Sequence, residues 1–184
     1  MSERLFGTDG IRGIANRYPM SAELALKVGR AVGHLAQREE RPHTILIGKD
    51  TRRSSYMLED ALSAGITASG GDVYLLHVTT TPSVSFITRS EHFDCGVMIS
   101  ASHNPFYDNG IKLVNGSGEK MQESFTDELE KYLDGEMEEI PYARRENIGR
   151  TIDYYGGRNQ YIGYLISMAR NSYQGYKVGL DCAN

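Results

Sequence analysis

The chain has 184 residues, which is enough for one ordinary domain with a hydrophobic core and a remainder. Its 40% hydrophobic and 24% charged residues are typical of a soluble globular protein, and no apolar run approaches the ~20 residues that cross a bilayer. The formal net charge of −4 argues against a nucleic-acid partner, because a phosphate backbone requires a basic face.

Helix and strand patterns alternate in the first part of the chain. Ser21 can cap a helix whose apolar residues recur with helical period. Residues 44–48 are an apolar run and predict a buried strand. A second helix is expected to begin near Ser54 or Ser55, either of which could cap it, and to end at the glycine pair 70–71.

The same alternation continues through the next elements. Residues 72–78 predict a second strand, Thr81 can cap a short helix with proline at its first position, and residues 95–99 predict a third strand. This order and spacing predict parallel pairing with right-handed crossovers. Residues 111–114 are predicted to form a further strand at the edge of the sheet.

The last part of the chain departs from this alternation of helix and strand patterns. A helical stripe occupies residues 121–132, whereas residues 135–157 have weak periodicity and indicate a connection between domains. A helix over about residues 160–170 and a strand over 176–181 follow, and these two elements cannot bury their apolar faces alone. The predicted division is a first α/β domain over residues 1–150 and the truncated start of a second over residues 151–184.

The N-terminus and the cysteines indicate a cytoplasmic protein. Residues 1–4 are charged and no apolar segment follows them, so we expect no secretory signal. Cys95 and Cys182 lie far apart without a Cys-x-x-Cys spacing, so neither a disulfide framework nor a zinc site is predicted. We expect both to be buried free thiols in a reducing compartment.

Residues 100–105, Ser-Ala-Ser-His-Asn-Pro, are the most informative for function. They follow the third predicted strand, and ligands of open α/β sheets bind beyond the carboxyl ends of strands. A serine hydroxyl such as that of Ser102 needs an adjacent base or an activated electrophile, and His103 and Lys112 are candidates. A loop that only turns the chain explains the spacing equally well. A serine hydrolase fits worse, because no Gly-x-Ser-x-Gly elbow surrounds Ser102.

Residues 7–13, Gly-Thr-Asp-Gly-Ile-Arg-Gly, are the second motif. Its glycines let the backbone turn tightly and approach a ligand, and the planar guanidinium of Arg12 suits phosphate. A glycine-rich turn with a solvated arginine is an equally good interpretation from composition. Nucleotide binding is less favoured, because neither Gly-x-Gly-x-x-Gly nor Gly-x-x-x-x-Gly-Lys is matched.

Together, residues 100–105, the Asn-Gly-Ile-Lys sequence at 109–112 and the motif at 7–13 resemble the phosphohexomutase superfamily. Thr-Asp-Gly at residues 8–10 resembles the phosphoglucosamine mutases within it. The resemblance covers essentially the whole chain. It implies the first domain of a four-domain mutase, an α/β domain with a mixed, mostly parallel sheet flanked by helices, plus the start of a second similar domain.

The resemblance also implies roles for four residues. Ser102 would carry a phosphate that passes to and from a sugar phosphate and serves as one ligand of Mg²⁺. Lys112 would be the general acid/base with His103 in support, and Arg12 would face the active-site cleft. Without the motif, Lys112 is better interpreted as a solvated lysine at a strand edge. The family's remaining metal ligands lie in an Asp-Gly-Asp-x-Asp-Arg loop, which this sequence does not contain.

The implied reaction interconverts glucosamine 6-phosphate and glucosamine 1-phosphate through a sugar bisphosphate, for UDP-N-acetylglucosamine and cell-wall synthesis. A hexosamine phosphate is therefore the expected small-molecule partner, no membrane or nucleic acid is expected, and the resemblance suggests a homodimer. We expect this chain to be an N-terminal portion that is inactive alone. The alternatives are a phosphoglucomutase or phosphomannomutase, or a short non-catalytic phosphosugar-binding protein.

Residues 49–54, Lys-Asp-Thr-Arg-Arg-Ser, also resemble the family. The chain departs from the usual pattern at Arg53 and Ser55, where the relatives tend to have an apolar residue and a glycine. We interpret this segment as a solvated loop that caps the next helix, and we do not include it among the catalytic candidates.

Overall fold

In the part of the chain that the structure describes, six strands form one mixed sheet with helices on both faces. The computed structural model describes residues 4–7, 10–36 and 42–181. The strands β1 to β6 span Ile11–Ile14, Thr44–Lys49, Asp72–Val78, Cys95–Ile99, Asp108–Asn115 and Thr151–Asp153. The helices α1 to α5 span Ala22–Leu35, Arg53–Ala68, Thr81–Ser90, Glu123–Leu133 and Tyr155–Met168, and a single 3₁₀ turn spans Arg145–Asn147.

The strand order is β1-β5-β4-β2-β3-β6. Strands β4, β2, β3 and β6 pair in parallel, whereas β1 and β5 are antiparallel to their neighbours. The predicted α/β fold with a mixed, mostly parallel sheet flanked by helices is therefore confirmed. Residues 111–114 belong to β5, which is not the edge strand as predicted, because β1 pairs with its residues 108–111; residues 112–114 extend beyond the end of β1. A four-residue strand inside a glycine-rich motif carries too little alternation to be recognised from sequence.

Alternate residues of the central strands point to opposite faces of the sheet. Val97 and Ile99 of β4 pack in the larger apolar cluster beneath α1, α2 and α4, whereas Met98 packs in the smaller cluster beneath α3. The same alternation holds on β5, where Ile111 belongs to the larger cluster and Val114 to the smaller one. The central strands β2 and β4 are therefore buried on both faces.

One of the three predicted helix caps is correct, and the other two differ from the structure. Ser21 caps α1 as predicted, since its Oγ accepts a hydrogen bond from the Leu24 N–H at 3.3 Å. The predicted cap of α2 at Ser54 or Ser55 is wrong. Arg52 occupies the cap position, and the Ser55 hydroxyl is engaged elsewhere. The predicted cap of α3 lies one residue too late, because Thr80 precedes the first helical residue.

Helices α1 and α2 touch through glycines, which predicts a specific substitution effect. A Cβ on Gly65 of α2 would collide with the Leu26 carbonyl oxygen of α1. We expect Gly65→Ala to lower the free energy of unfolding in urea by about 1–3 kcal/mol. The matched control is Gly163→Ala within α5, where nothing lies within 4 Å of the added Cβ. The prediction fails if the two variants lose the same stability.

The C-terminal part agrees only partly with the sequence prediction. Helix α5 corresponds to the helix predicted over 160–170 but begins at Tyr155, and residues 151–153 of the predicted connection pair with β3. The strand predicted over 176–181 is wrong: this segment has no regular structure, and Leu180 is 84% exposed. A strand requires a partner for its backbone hydrogen bonds, and none of the described strands runs beside it. The domain division near residue 150 stays a prediction.

Burial explains the state of the first cysteine. Cys95 is a fully buried free thiol, as expected, and burial raises its pKa to about 12, so it stays protonated and unreactive. Cys182 lies outside the described residues. Within the described part of the chain, no helix combines the length and apolar character that crossing a bilayer requires.

Candidate active site

Ser102 and His103 lie on the loop that leaves the carboxyl end of β4. Ser102 has a φ of 57°, in the left-handed region that serine rarely adopts, and its N–H donates to the Ser100 Oγ at 3.0 Å. Its own Oγ lies 3.4 Å from the His103 Nδ1, and both side chains are exposed. The structure therefore presents an accessible serine hydroxyl with an imidazole at the long end of hydrogen-bonding distance.

Arg12 and Lys112 lie on one face of the neighbouring strands. Arg12 of β1 pairs with Gly110 of β5, and Lys112 is two residues further along β5. Residues two apart on a strand share a face. A Cβ on Gly110 would lie 3.2 Å from the Arg12 Cγ, so this glycine leaves room for the arginine. The Gly110 carbonyl accepts a hydrogen bond from the Ser100 N–H at 2.9 Å, which joins this face to the start of the serine loop.

The glycine-rich motif lies against β5 beside Lys112. Gly10 has a φ of 88°, and a Cβ there would collide with the Ile111 carbonyl oxygen. A cleft of about 530 Å³ opens at this place. Among the four predicted site residues, Lys112 alone lines it, together with Phe6, Gly10 and Lys120. Thr8 and Asp9 of the motif lie outside the described residues. The resemblance of Thr-Asp-Gly at residues 8–10 to the phosphoglucosamine mutases therefore stays a prediction.

Arg52 is the residue that sequence reasoning missed. Its side chain is 0% exposed, and its Nε donates to the Asp50 Oδ2 at 2.9 Å. The two terminal nitrogens donate to four backbone carbonyls of the serine loop, those of Ser102 (2.8 Å), Asn104 (2.9 Å), Pro105 (2.5 Å) and Asp108 (3.0 Å). The interpretation of residues 49–54 as a solvated loop is therefore wrong, because Lys49 and Arg52 are buried. The segment does hold the cap position of α2, at Arg52. Arg52 is also an internal support of the loop that carries Ser102.

A polar network ties the same loop to α2. The Asn109 side-chain amide donates to the hydroxyls of Ser54 and Ser55 at 2.8 and 3.0 Å, and the Ser55 hydroxyl donates to Asp50 at 2.9 Å. Ser55 is fully buried, so the residue that departs from the family's usual glycine has a structural role in this chain. The sequence offers no sign of this network, because Asn109 lies more than fifty residues from Ser54 and Ser55.

The described residues do not by themselves form a site for Mg²⁺. Nowhere in residues 4–7, 10–36 and 42–181 do three or more His, Cys, Asp or Glu side chains gather where they could hold a metal ion. Mg²⁺ requires near-octahedral coordination by oxygen, usually with several waters and one or two carboxylates. The predicted metal role of Ser102 therefore remains a prediction that concerns its phosphorylated form.

Similar proteins were found among curated sequences and solved structures. The phosphoglucosamine mutase of Lachnospira eligens is 62% identical over 98% of this chain and 40% of its own length. The phosphoglucosamine mutase of Lachnoclostridium phytofermentans is 59% identical, with the same coverage. The chain thus spans about 40% of the length of these curated relatives.

A phosphoglucomutase/phosphomannomutase family protein from Burkholderia thailandensis superposes with a TM-score of 0.73 and 25% identity, over 91% of this chain and 36% of that one. Residues 3–139 match the family model described as phosphoglucomutase/phosphomannomutase, alpha/beta/alpha domain I. This match includes both sequence motifs and strands β1 to β5 with their connecting helices. The chain therefore belongs to the phosphoglucomutase/phosphomannomutase family and carries its domain I.

Proposed function

We propose that this chain is the phosphoserine-bearing part of a phosphoglucosamine mutase, which interconverts glucosamine 6-phosphate and glucosamine 1-phosphate. The observation that carries the proposal is the exposed Ser102 hydroxyl on a loop held by buried contacts. At its start, the Ser100 N–H bonds the carbonyl of Gly110, which shares a sheet face with Arg12 and Lys112. Two relatives of about 60% identity that bear this name support the choice of substrate. Because the chain spans about 40% of their length, turnover is proposed for a longer protein.

In the proposed reaction, phospho-Ser102 donates its phosphoryl group to the free hydroxyl of the bound hexosamine phosphate. The bond between the Ser102 Oγ and phosphorus breaks and the Oγ takes up a proton, while a bond from the sugar oxygen to phosphorus forms and the sugar hydroxyl proton leaves to a base. The resulting bisphosphate reorients, and its other phosphoryl group returns to Ser102. This regenerates the phosphoenzyme and releases the isomeric monophosphate, so phosphate and protons balance over one cycle.

The other predicted site residues have proposed roles in this cycle. Lys112 is the proposed general acid/base and His103 its support, whereas Arg12 binds phosphate oxygens through its planar guanidinium. Fixed positive charge near the transferred group is the main source of rate enhancement in phosphoryl transfer. Phospho-Ser102 would give Mg²⁺ only one ligand. The expected metal is therefore a prediction for the longer protein, and no step above depends on it.

The test uses the full-length protein and three substrate classes. We expect it to convert glucosamine 6-phosphate to glucosamine 1-phosphate, with a kcat/KM at least about tenfold higher than for glucose or mannose phosphates. Phosphopeptide mapping of the same sample is expected to place phosphate on Ser102. Preference for glucose or mannose phosphates would instead support a phosphoglucomutase or phosphomannomutase, which the name of the matched family favours. Absence of phosphate and turnover would overturn both assignments.

A further inference from the structure

We propose that Arg52 is the positioning residue of the phosphoryl-transfer loop, acting on Ser102 through the backbone. The proposal rests on the proposed function, because it assigns Arg52 a role in the use of Ser102. The Arg52 guanidinium donates to the Ser102 carbonyl oxygen at 2.8 Å and so holds the backbone of this residue. Its influence is therefore on where the serine hydroxyl points.

The contacts of Arg52 fix the loop at both ends. One guanidinium nitrogen bonds the carbonyls of Ser102 and Asn104, and the other bonds those of Pro105 and Asp108. Four carbonyls over seven residues leave this segment little freedom. Ser102 itself is held at a φ of 57°, which persists in a non-glycine residue only when the surroundings over-determine it. Arg52 supplies four of the hydrogen bonds that hold this segment, one of them to the Ser102 carbonyl.

The direction of these bonds also determines what the loop offers to a ligand. A trans peptide points its C=O and the following N–H in opposite directions. Because the carbonyls of Ser102 and Pro105 point at Arg52, the N–H groups of His103 and Phe106 point away from it. Both residues are exposed. Arg52 thereby turns backbone donors outward, and outward N–H groups on a loop suit an anion such as a phosphate on Ser102.

Lysine cannot replace arginine in this position. The guanidinium presents five N–H donors in a fixed plane, whereas lysine has one rotatable ammonium. Asp50 neutralises the buried charge, with its Oδ2 2.9 Å from the Arg52 Nε. Arg52→Lys keeps this charge but cannot reach four carbonyls. Its effect therefore measures the loss of the planar guanidinium geometry without a loss of charge. Arg53 is the matched control, because it is adjacent in sequence and exposed.

The experiment compares Arg52→Lys, Arg52→Met and Arg53→Lys in the full-length protein. Hydrogen exchange is measured in the peptide that covers residues 102–108, and kcat is expressed per mole of phospho-Ser102. We expect Arg52→Lys to speed exchange in this loop by about tenfold or more while the β2 and β4 amides stay protected. We expect its kcat to fall about tenfold to a hundredfold with KM within about twofold of the parent value. Arg53→Lys is expected to match the parent in both.

Hydrogen exchange and kcat together distinguish failure of the positioning role from failure of the proposed function. Unchanged loop exchange in Arg52→Lys, or an unchanged kcat, would overturn the positioning role even if the parent protein is a mutase. A loosened loop in a protein that has no mutase activity would overturn the proposed function but leave the support of the loop by Arg52 intact. If Arg52→Met does not fold, Arg52→Lys alone decides, and exchange accelerated equally throughout the chain would mean a general structural role.

Discussion

Full-length protein carrying Ser102→Ala is expected to lose mutase activity by about three orders of magnitude or more, because the variant has no acceptor for the phosphoryl group. Exposure of the Ser102 side chain means that its truncation removes no core packing. The loss should therefore occur without a change in the free energy of unfolding beyond about 0.5 kcal/mol. Coupled assays of sugar phosphate interconversion, intact mass and urea unfolding measure the three quantities.

Ser100→Ala is the control for this result, since both serines belong to the same motif. Ser100 is 6% exposed, and its Oγ accepts the backbone N–H of Ser102 at 3.0 Å. We expect this variant to remain phosphorylated on Ser102 and to keep part of its activity, because it loses orientation of the loop and not the acceptor. Phosphate on Ser100 in the parent protein, or full activity of Ser102→Ala, would contradict the assignment.

The second large effect concerns a buried ion pair at the carboxyl end of β2. Lys49 is 2% exposed and Glu59 5%, and the two side chains form a hydrogen-bonded salt bridge. The Lys49 Nζ also lies 4.0 Å from the centroid of the Tyr56 ring. Glu59→Gln removes the only carboxylate that the structure pairs with this ammonium among the described residues. We expect it to lower the free energy of unfolding by about 3–5 kcal/mol.

A double variant separates the value of the pair from the cost of breaking it. In the described part of the chain the Glu59 Oε1 is buried without a hydrogen-bond partner, so the pair is not fully satisfied. Replacing both residues, as Lys49→Met with Glu59→Leu, is therefore expected to recover most of the loss seen for Glu59→Gln. Asp60→Asn, an exposed neighbour on α2, is the matched control and should change stability by less than about 0.5 kcal/mol. Equal losses in Glu59→Gln and Asp60→Asn in urea unfolding would refute the prediction.

Predictions from local sequence patterns were correct where the structure depends on residues that are close in the chain. The apolar runs at 44–48, 72–78 and 95–99 became β2, β3 and β4, because strands buried on both faces require continuous apolar residues. The Ser21 cap is correct, since its partner, the N–H of Leu24, is three residues away. The strand predicted at 176–181 failed for the opposite reason: its backbone partners would have to come from elsewhere in the chain.

The sequence by itself determined the family and the candidate site residues Ser102, His103, Lys112 and Arg12. Each motif that carries them is a contiguous run, so it can be recognised from the residue order alone. Tertiary structure alone decided that β5 lies inside the sheet, that Arg12 sits opposite Gly110, and that Arg52 is buried beneath the serine loop. Such contacts join residues about fifty to one hundred positions apart. Neither the burial of a charge nor its partners can be read from neighbouring residues, since both depend on how the whole chain packs.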